Sequence, residues 1–367
     1  MKIYLHDLIG THSGVNYYLN TFAKKAKKHN IDVNIKSNYS SKHNVSYYPF
    51  LFRGGLIKML FLLSYSYAKF FLAICKLKKN EIIIVSLYGT YVDFGLLMIS
   101  KISSKNVLLD VHEVVDENFK GLTLRRLFKY GFKVCENPII SHSKKVTANL
   151  QLNDYKNKVI QTPHINYEID KFYNLKNVMD DVKKSFEDGF TYFLFFGNII
   201  PSKGVFELLS TIEKIDFNNS KIRIIIAGKD RLNCIKDYSN YEEIHQKSIL
   251  LLKHINDDEM KYLFNKSDYI LLPYLDIAQS GVLEMAINFR KPILSSNIKY
   301  FKDKFSKYPS FGKPLDTKDA INFAKAIESE AKKLNHFNFY KDEDLENYFN
   351  PNIFNNFINE IIKFLKS

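Results

Sequence analysis

Short apolar runs alternate with helix-length segments along the chain, and this alternation constrains the fold more than any other feature. In the first half the runs are rich in β-branched residues and end in polar turns. They lie at residues 2–6, 31–35, 81–86, 106–110, 138–141 and 158–161. Helix-length segments fall between them, at about 15–28, 55–77, 91–102, 122–135 and 144–153. Such alternation predicts right-handed βαβ units and therefore a parallel sheet.

The alternation begins again after a polar segment at residues 170–190, which is expected to be a linker. Strands are expected at residues 191–196, 222–227, 248–252, 268–272 and 292–295. Helices are expected at about 203–214, 257–266, 281–289 and 319–333, and a last amphipathic helix at 351–366. The return of the same pattern predicts a second parallel-sheet domain.

The length of the chain also supports two domains. Its 367 residues exceed the roughly 250–300 residues at which single domains stop growing. We therefore predict an α/β chain of two doubly wound, Rossmann-like domains, residues 1–170 and 171–350, with residues 351–367 crossing back to the N-terminal domain. Ligands of such sheets bind beyond the carboxyl ends of the strands, so a central cleft faced by both domains is the expected site.

Charge is distributed unevenly along the chain. Residues 1–176 hold 26 Lys and Arg residues against 12 Asp and Glu, whereas residues 177–367 hold 27 of each, so the first half carries the whole net charge of +14. A basic half indicates an anionic partner, such as nucleic acid, an anionic membrane surface or an acidic substrate. We expect no nucleic-acid partner, because the basic residues lack interleaved stacking motifs and a recognition-helix signature.

One predicted helix in this basic half is unusually apolar. Residues 56–77 read LIKMLFLLSYSYAKFFLAICKL. On a helical wheel Lys58, Lys69 and Lys76 fall within about 20° of one another. A core helix with one solvated stripe and a basic amphipathic helix in the membrane interface both fit this pattern. A membrane-spanning helix is disfavoured by the interior lysines.

The cysteines and the N-terminus indicate a compartment. Cys75, Cys135 and Cys234 are far apart and form no CxxC pair. This indicates a reducing compartment and predicts neither a disulfide framework nor a zinc site. The N-terminus, MKIYLHDLIG, has the character of a buried strand and lacks the features of a signal peptide. We therefore expect a cytoplasmic protein.

A first candidate site lies in residues 194–206, LFFGNIIPSKGVF. A predicted strand ends at Gly197, and a predicted helix begins near Gly204 with Lys203 beside its N-terminus. Backbone N–H groups that point out of a helix, together with an ammonium group, suit a phosphate. An ordinary strand-to-helix loop with a solvated lysine fits the same residues.

A second candidate site lies in residues 268–289, DYILLPYLDIAQSGVLEMAINF. Ser280 is expected to cap a helix whose first N–H groups, near Gly281, face the strand ends. Asp276 and Glu284 flank this point with seven residues between them, and carboxylates there can hold sugar or ribose hydroxyls. A turn-forming aspartate and a helix-surface glutamate are the structural alternatives.

Together these motifs resemble the C-terminal domain of retaining GT-B glycosyltransferases of the family 4 type. That family has a G-R-x3-x-K-G loop, a strand ending in A-G, an E-x7-E motif and a G-x-P-V strand. The counterparts here, in the same order within residues 190–297, are GNIIPSKGV, Ile226-Ala227-Gly228, Asp276-x7-Glu284 and Arg290-Lys291-Pro292-Ile293. The resemblance implies a GT-B fold and a nucleotide-sugar donor.

The resemblance also assigns roles to residues. It implies that Lys203 binds the donor diphosphate, that Glu284 holds the ribose and that Asp276 contacts the donor sugar. The catalytic set that it implies is His112, Lys203 and Asp276. The donor-binding set that it implies is Gly14, Gly197, Asn198, Lys203, Gly228, Gln279, Ser280, Gly281, Val282 and Glu284.

Two residues depart from the family pattern. The phosphate-binding arginine of the family is Asn198 here, so one cation is missing, and Arg231 and Lys229 are the candidate replacements. The first glutamate of the E-x7-E motif is Asp276, which is one methylene shorter. The second change alters the expected contact with the donor sugar.

The first half also has counterparts to the family pattern. Gly14 lies in the loop after the first strand, His112 follows a strand, and Ser141 and Ser143 precede a helix. The resemblance implies that His112 approaches the donor sugar and that Gly14 lies near the leaving group and acceptor. The residue types alone also fit a strand-end histidine and helix-capping serines, and we expect His164 to be structural.

The implied reaction moves a sugar from a nucleotide-diphosphate donor to a hydroxyl of a lipid-linked glycan acceptor, with retention of configuration and without a metal or other cofactor. The basic first half favours an acceptor at an anionic membrane, and hence a peripheral protein on the inner face of the cell membrane, in bacterial surface polysaccharide synthesis. Two alternatives stay open: a sugar-nucleotide epimerase of the same architecture and a non-catalytic membrane-associated homologue.

Overall fold

The chain forms two compact units, each built around one sheet. The computed structural model describes residues 1–10, 15–39, 46–51, 55–103, 106–114, 122–277, 279–333 and 339–366. Unit 1 consists of Met1–Tyr167 together with Asn350–Ser367, and unit 2 consists of Glu168–Phe349.

Unit 1 holds a six-stranded parallel sheet. Its strands are β1 (Lys2–Asp7), β2 (Asp32–Ser37), β3 (Glu81–Leu87), β4 (Val107–Val111), β5 (Ile139–Ser141) and β6 (Val159–Gln161). Their order is β2-β1-β3-β4-β5-β6, and every neighbouring pair is parallel. Strands β3 to β5 are buried almost throughout, as is typical of a parallel sheet with helices on both faces.

Among the described residues of unit 1, five α-helices connect these strands. They are α1 (Val15–Lys28), α2 (Leu56–Cys75), α3 (Tyr91–Ser100), α4 (Leu122–Lys133) and α5 (Lys144–Leu152). Helix α3 begins with a capping box formed by Thr90 and Asp93, and Ser143 caps α5 by accepting a hydrogen bond from the N–H of Val146 at 3.1 Å.

Unit 2 holds a second six-stranded parallel sheet. Its strands are β7 (Thr191–Phe196), β8 (Ile222–Ala227), β9 (Ser248–Leu251), β10 (Tyr269–Leu272), β11 (Ile293–Ser296) and β12 (Gly312–Leu315). Their order is β12-β11-β10-β7-β8-β9. Because β8 and β9 lie on one side of β7 and β10 to β12 on the other, the chain changes direction between β7 and β10. This is the topological switch point of a doubly wound sheet.

The helices of unit 2 pack on both faces of this sheet. They are α6 (Asp180–Lys183), α7 (Val205–Lys214), α8 (Tyr241–Lys247), α9 (Asp257–Lys266), α10 (Gly281–Asn288), α11 (Lys299–Lys307), α12 (Ala320–Ala331) and α13 (Asp342–Tyr348). The core between β7, β8 and α7 contains Phe193, Phe195, Ile224 and Leu208, all buried. The last helix, α14 (Asn352–Lys366), belongs to unit 1, where the rings of Phe354 and Phe357 lie 5.5 and 5.8 Å from the ring of Phe22 in α1.

The predicted fold class of two Rossmann-like parallel sheets is confirmed. Every predicted strand and helix is present, with ends within about two residues of those expected. The expectation of a linker at residues 170–190 is wrong, because this segment lies within unit 2, where Val178 and Val182 are buried. The sequence pattern also missed β12 and the helices α6, α8, α11 and α13.

Candidate functional site

The loops that leave β7 and β10 form the centre of the candidate site, at the switch point of the unit 2 sheet. The N–H of Leu275, in the loop after β10, donates to the carbonyl of Ser202, in the loop after β7, at 3.0 Å. Both loops lead directly into helices, α7 and α10. Their N-terminal N–H groups therefore lie at the carboxyl edge of the sheet, where α/β proteins bind their ligands.

Gly204 permits the close contact between these two loops. It follows the short 3₁₀ turn Pro201–Lys203 in the left-handed conformation, with φ of 70°. A Cβ atom at this position would lie 1.8 Å from the carbonyl oxygen of Pro273. Only glycine combines this backbone conformation with this approach.

Gly228, at the end of β8, has the same function on the other side of β7. Its φ is +150°, and an added Cβ atom would lie 1.7 Å from the carbonyl oxygen of Gly197. The N–H of Gly197 in turn donates to the carbonyl of Ala227 at 3.0 Å. The backbones at the ends of β7 and β8 are thus in direct contact.

Lys203 is half-buried beside this contact. Its Nζ atom lies 3.9 Å from the centre of the Tyr274 ring, within the range of a cation–π interaction. Tyr274 is buried, and its carbonyl accepts a hydrogen bond from the hydroxyl of Ser296 in β11. The aromatic ring of one loop therefore positions the ammonium group of the other.

The N-terminus of α10 is built as the sequence predicted. The hydroxyl of Ser280 accepts a hydrogen bond from the N–H of Leu283 at 3.1 Å, which makes Ser280 the N-cap. Gly281 and Val282 follow in the first turn and are partly exposed. The Val282 side chain would lie 3.5 Å from a Cβ atom on Gly197, so the first turn of α10 adjoins the end of β7.

Glu284 is buried one turn into α10, and a tyrosine holds it. One of its oxygens, Oε1, accepts a hydrogen bond from the hydroxyl of Tyr348 at 2.6 Å. Burial, and secondarily the Glu284 carboxylate, raise the pKa values of Tyr348 and Tyr300. Burial lowers the pKa of the Lys304 ammonium, and the attraction of Glu284 opposes that change. Glu284 is thus part of a buried polar group and not a solvated surface residue.

The remaining predicted residues of unit 2 lie around these loops. Asn198 and Asp276 are exposed, and Gln279 is half-buried. Arg231, a candidate replacement for the missing arginine, is exposed, and Lys229 is partly exposed. The structure therefore assembles Gly197, Lys203, Gly228, Ser280, Val282 and Glu284 at one edge of the unit 2 sheet.

Two predicted residues lie elsewhere in the chain. Gly14 is outside the described residues. His112 belongs to unit 1, where it follows β4 and is buried. Its ring stacks on that of Tyr88 with the ring centres 5.2 Å apart.

His112 is part of a buried cluster that the sequence analysis did not predict. His142 Nε2 lies 2.8 Å from Asp110 Oδ1, and His112 Nε2 lies 3.6 Å from Asp110 Oδ2. The hydroxyl of Tyr18 is 3.2 Å from His142 Nε2, and the His164 ring centre is 4.8 Å from that of Tyr18. Burial alone would raise the pKa of Asp110, but the two imidazoles hold that pKa below its ordinary value.

The cluster contains ligand types that metals use. Asp110, His112 and His142 offer ligand atoms within 4.8 Å of one another, and all three residues are buried. Two imidazoles and a carboxylate suit Zn²⁺ or Fe²⁺, so these residues could hold a metal. The shortest of these contacts, between His142 Nε2 and Asp110 Oδ1, has the 2.8 Å length of a charge-assisted hydrogen bond.

Two features of the site could have been found from the sequence, and two could not. Asp110 and His142 end neighbouring parallel strands, so their proximity follows once β4 and β5 are paired. Tyr274 and Tyr348 carry no motif. Their importance depends on which side chains the fold places beside Lys203 and Glu284.

Comparison with known proteins relates this geometry to other structures. The family model for Glycosyl transferases group 1 matches residues 178–337. Among curated proteins, none matches the sequence of this chain. Several solved structures match over nearly the whole chain, at sequence identities low enough that they inform on the fold alone.

Three of these structures illustrate the match. Sucrose-phosphate synthase from Thermosynechococcus elongatus has a TM-score of 0.68 at 12% identity, with 99% of this chain and 98% of that chain covered. HepE of Anabaena in complex with UDP-glucose has a TM-score of 0.67 at 13% identity, with 99% of each chain covered. A glycosyltransferase from Rickettsia africae has a TM-score of 0.65 at 16% identity, with 100% of this chain and 99% of that chain covered. The chain therefore has the GT-B fold, and the Glycosyl transferases group 1 pattern lies within its second unit.

Proposed function

We propose that the chain is a retaining glycosyltransferase that moves a sugar from a UDP-linked donor to a hydroxyl of a lipid-linked glycan. The observation that carries the proposal is the edge of the unit 2 sheet, where Lys203 and the N-termini of α7 and α10 come together. Two helix N-termini and one ammonium group form a site for a diphosphate. The family match over residues 178–337 supports the same chemistry.

UDP is the preferred donor nucleotide in this proposal. The supporting fact is that the similar HepE structures contain UDP and UDP-glucose. Glu284 would accept hydrogen bonds from the ribose hydroxyls, and Tyr348 would hold its carboxylate in place. Asp276, which is exposed in the same loop as Tyr274, would contact the hydroxyls of the donor sugar.

In the reaction the bond between the sugar C1 and the diphosphate oxygen breaks, and a bond from C1 to the acceptor oxygen forms on the same face. The leaving phosphate oxygen takes the acceptor proton. Negative charge grows on the diphosphate as it leaves, and the Lys203 ammonium together with the helix N-termini would stabilise that charge. The proposal needs no metal, because these groups supply the positive potential.

The acceptor and the location rest on the charge of the first half. A net charge of +14 in residues 1–176 favours an acceptor at an anionic membrane, and hence a peripheral protein on its cytoplasmic face. Synthesis of a bacterial surface polysaccharide is the process that this combination suggests.

A donor panel tests the proposal directly. Calorimetric titration with UDP-, GDP- and CMP-linked sugars should give saturable binding for a UDP-sugar. Incubation of that donor with short-chain lipid-linked glycans should then release UDP, and NMR of the product should show the anomeric configuration of the donor. An epimer formed from donor alone would support an epimerase. A chain that binds none of the nucleotides would be a non-catalytic homologue, and either result refutes the proposal.

A further inference from the structure

Helix α2 is apolar, yet unit 1 covers little of it. Of its 20 residues, those that are buried are Ser66, Phe70 and Ile74, which fall on one narrow stripe. It is long and apolar enough to span a membrane, which no other helix of the described residues is. A core helix would be mostly buried, so the core alternative from the sequence analysis is wrong.

The uncovered side of α2 carries large apolar side chains. Seven of them are between 41% and 86% exposed: Leu56, Ile57, Leu60, Phe61, Tyr65, Phe71 and Leu72. Ile57 and Phe61, at 86% and 70%, are the most exposed of these. Soluble monomers seldom expose large contiguous apolar patches, so seven exposed apolar side chains on one helix indicate an interaction surface.

Contacts with unit 1 along the length of α2 hold the helix in place. The hydroxyl of Tyr67 donates to the carbonyl of Val92 at 2.7 Å, and Lys69 Nζ donates to the carbonyl of Tyr47 at 2.6 Å. The ring of Phe70 is buried, 5.4 Å from the ring of His6 in β1. A helix held in this way between β2 and β3 of one sheet cannot have lipid on all sides, so a spanning orientation is excluded.

Lysines border the apolar face on one side. Lys58 and Lys76 are exposed on the same helical stripe, close to the two ends of α2. Exposed Lys78 and Lys79 follow directly, and residues 56–80 contain no Asp or Glu. A helix with an apolar face and a basic edge is complementary to the headgroup region of an anionic bilayer.

We infer that α2 docks unit 1 onto an anionic membrane surface. The face that contains Ile57, Phe61 and Leu72 enters the boundary between headgroups and acyl chains, and Lys58 and Lys76 lie at the level of the lipid phosphates. This deepens the peripheral location proposed above by naming the helix, the inserted face and the orientation. It does not depend on the proposed sugar transfer.

The chain contains no tryptophan, which gives a sharp test of insertion. Phe61→Trp places the only indole on the exposed face of α2, and Leu152→Trp places it at a control position in α5 that is 73% exposed. With vesicles containing 30% phosphatidylglycerol, the F61W emission should shift to the blue. Lipids brominated near the headgroup should quench it more than lipids brominated at the chain ends. The L152W emission should not change.

Vesicle co-sedimentation tests separately the contribution of the apolar face and that of the lysines to membrane binding. I57S/F61S should lower the partition coefficient on anionic vesicles at least 10-fold, and K58Q/K76Q should lower it by about 10- to 30-fold at low salt. L152S should bind like the wild type. Equal partition of the wild type to neutral and anionic vesicles, wild-type binding by I57S/F61S, or a dimer in solution that protects F61W would each overturn the inference.

Donor binding separates this inference from the proposed function. I57S/F61S and K58Q/K76Q should bind UDP as tightly as the wild type, because their substitutions lie outside unit 2. If no variant bound UDP but the vesicle results held, the proposed transfer would fail and the docking of α2 would stand.

Discussion

Replacement of Lys203 should weaken donor binding far more than it weakens folding. In the structure its Nζ atom lies 3.9 Å from the centre of the Tyr274 ring. A cation–π contact of a partly exposed lysine contributes about 0.5–1 kcal/mol. Loss of that contact should lower the Tm by roughly 1–4 °C for a unit of this size.

The contact between Lys203 and the diphosphate should contribute more free energy than the cation–π contact, because both partners are charged. A hydrogen bond to a charged group contributes about 1.5–3 kcal/mol, which corresponds to roughly a 10- to 150-fold change in Kd. Lys203→Met is the most informative variant, because it keeps the apolar stem against the Tyr274 ring and removes the ammonium group. We therefore expect K203M to unfold near the wild-type temperature and to bind UDP at least 10-fold more weakly.

Isothermal titration with UDP measures this difference, and thermal unfolding with and without UDP provides a second readout through ligand linkage. Lys214→Ala is the matched control, since Lys214 is an exposed lysine at the other end of α7. It should bind UDP like the wild type. Binding by K203M within twofold of a wild type that binds UDP would refute the placement of Lys203 at the diphosphate.

Three further substitutions test contacts within each of the two units. Gly228→Ala should destabilise unit 2 by several kcal/mol in urea unfolding, since the new Cβ atom would lie 1.7 Å from the Gly197 carbonyl oxygen; near wild-type stability would contradict this. Tyr348→Phe removes a 2.6 Å hydrogen bond to the buried Glu284 carboxylate and should cost about 1.5–3 kcal/mol; a double-mutant cycle with E284Q that shows no coupling would contradict it. Burial raises the pKa of the Asp7 carboxyl to about 7. Between about pH 4 and 7 the folded chain therefore keeps a proton that the unfolded chain has lost, and the free energy of unfolding should fall as the pH rises through this range. Asp7→Asn should remove this pH dependence and be more stable than the wild type at pH 8, by up to about 4 kcal/mol. If unfolding free energies plotted against pH ran parallel for the two proteins, Asp7 would be ionised in the folded chain and the prediction would be wrong.

The regular elements could be predicted because their signal is local. A run such as TYFLFF in β7 is apolar throughout because a central parallel strand is buried on both faces. The missed elements lack that signal. Strand β12, GKPL, contains Pro314, which is tolerated because β12 is at the edge of the sheet and pairs with β11 alone. Helix α11 is mostly charged and buries just Phe301 and Phe305.

The candidate site could be predicted in its backbone but not in its supporting side chains. Glycines and a capping serine leave a pattern in the sequence, since each is required by the backbone at its own position. The contact between Tyr348 and Glu284 joins residues 64 positions apart, and nothing near either residue indicates it. The exposure of α2 is equally non-local, because composition alone fits a buried, an interfacial and a spanning helix.

In the proposals made above, the two halves of the chain have different anionic partners, and the distribution of charge favours this division. If the basic excess served the phosphates of a donor, it would be concentrated around Lys203, yet residues 177–367 hold 27 basic and 27 acidic residues. A small, preorganised anion site needs one ammonium group and two helix N-termini, and it does not need a large net charge. A broad anionic surface, in contrast, attracts each lysine near it by about 1 kcal/mol, so many dispersed lysines are effective there. The excess of basic residues in the half that contains α2 therefore favours the proposed membrane contact over a role in donor binding.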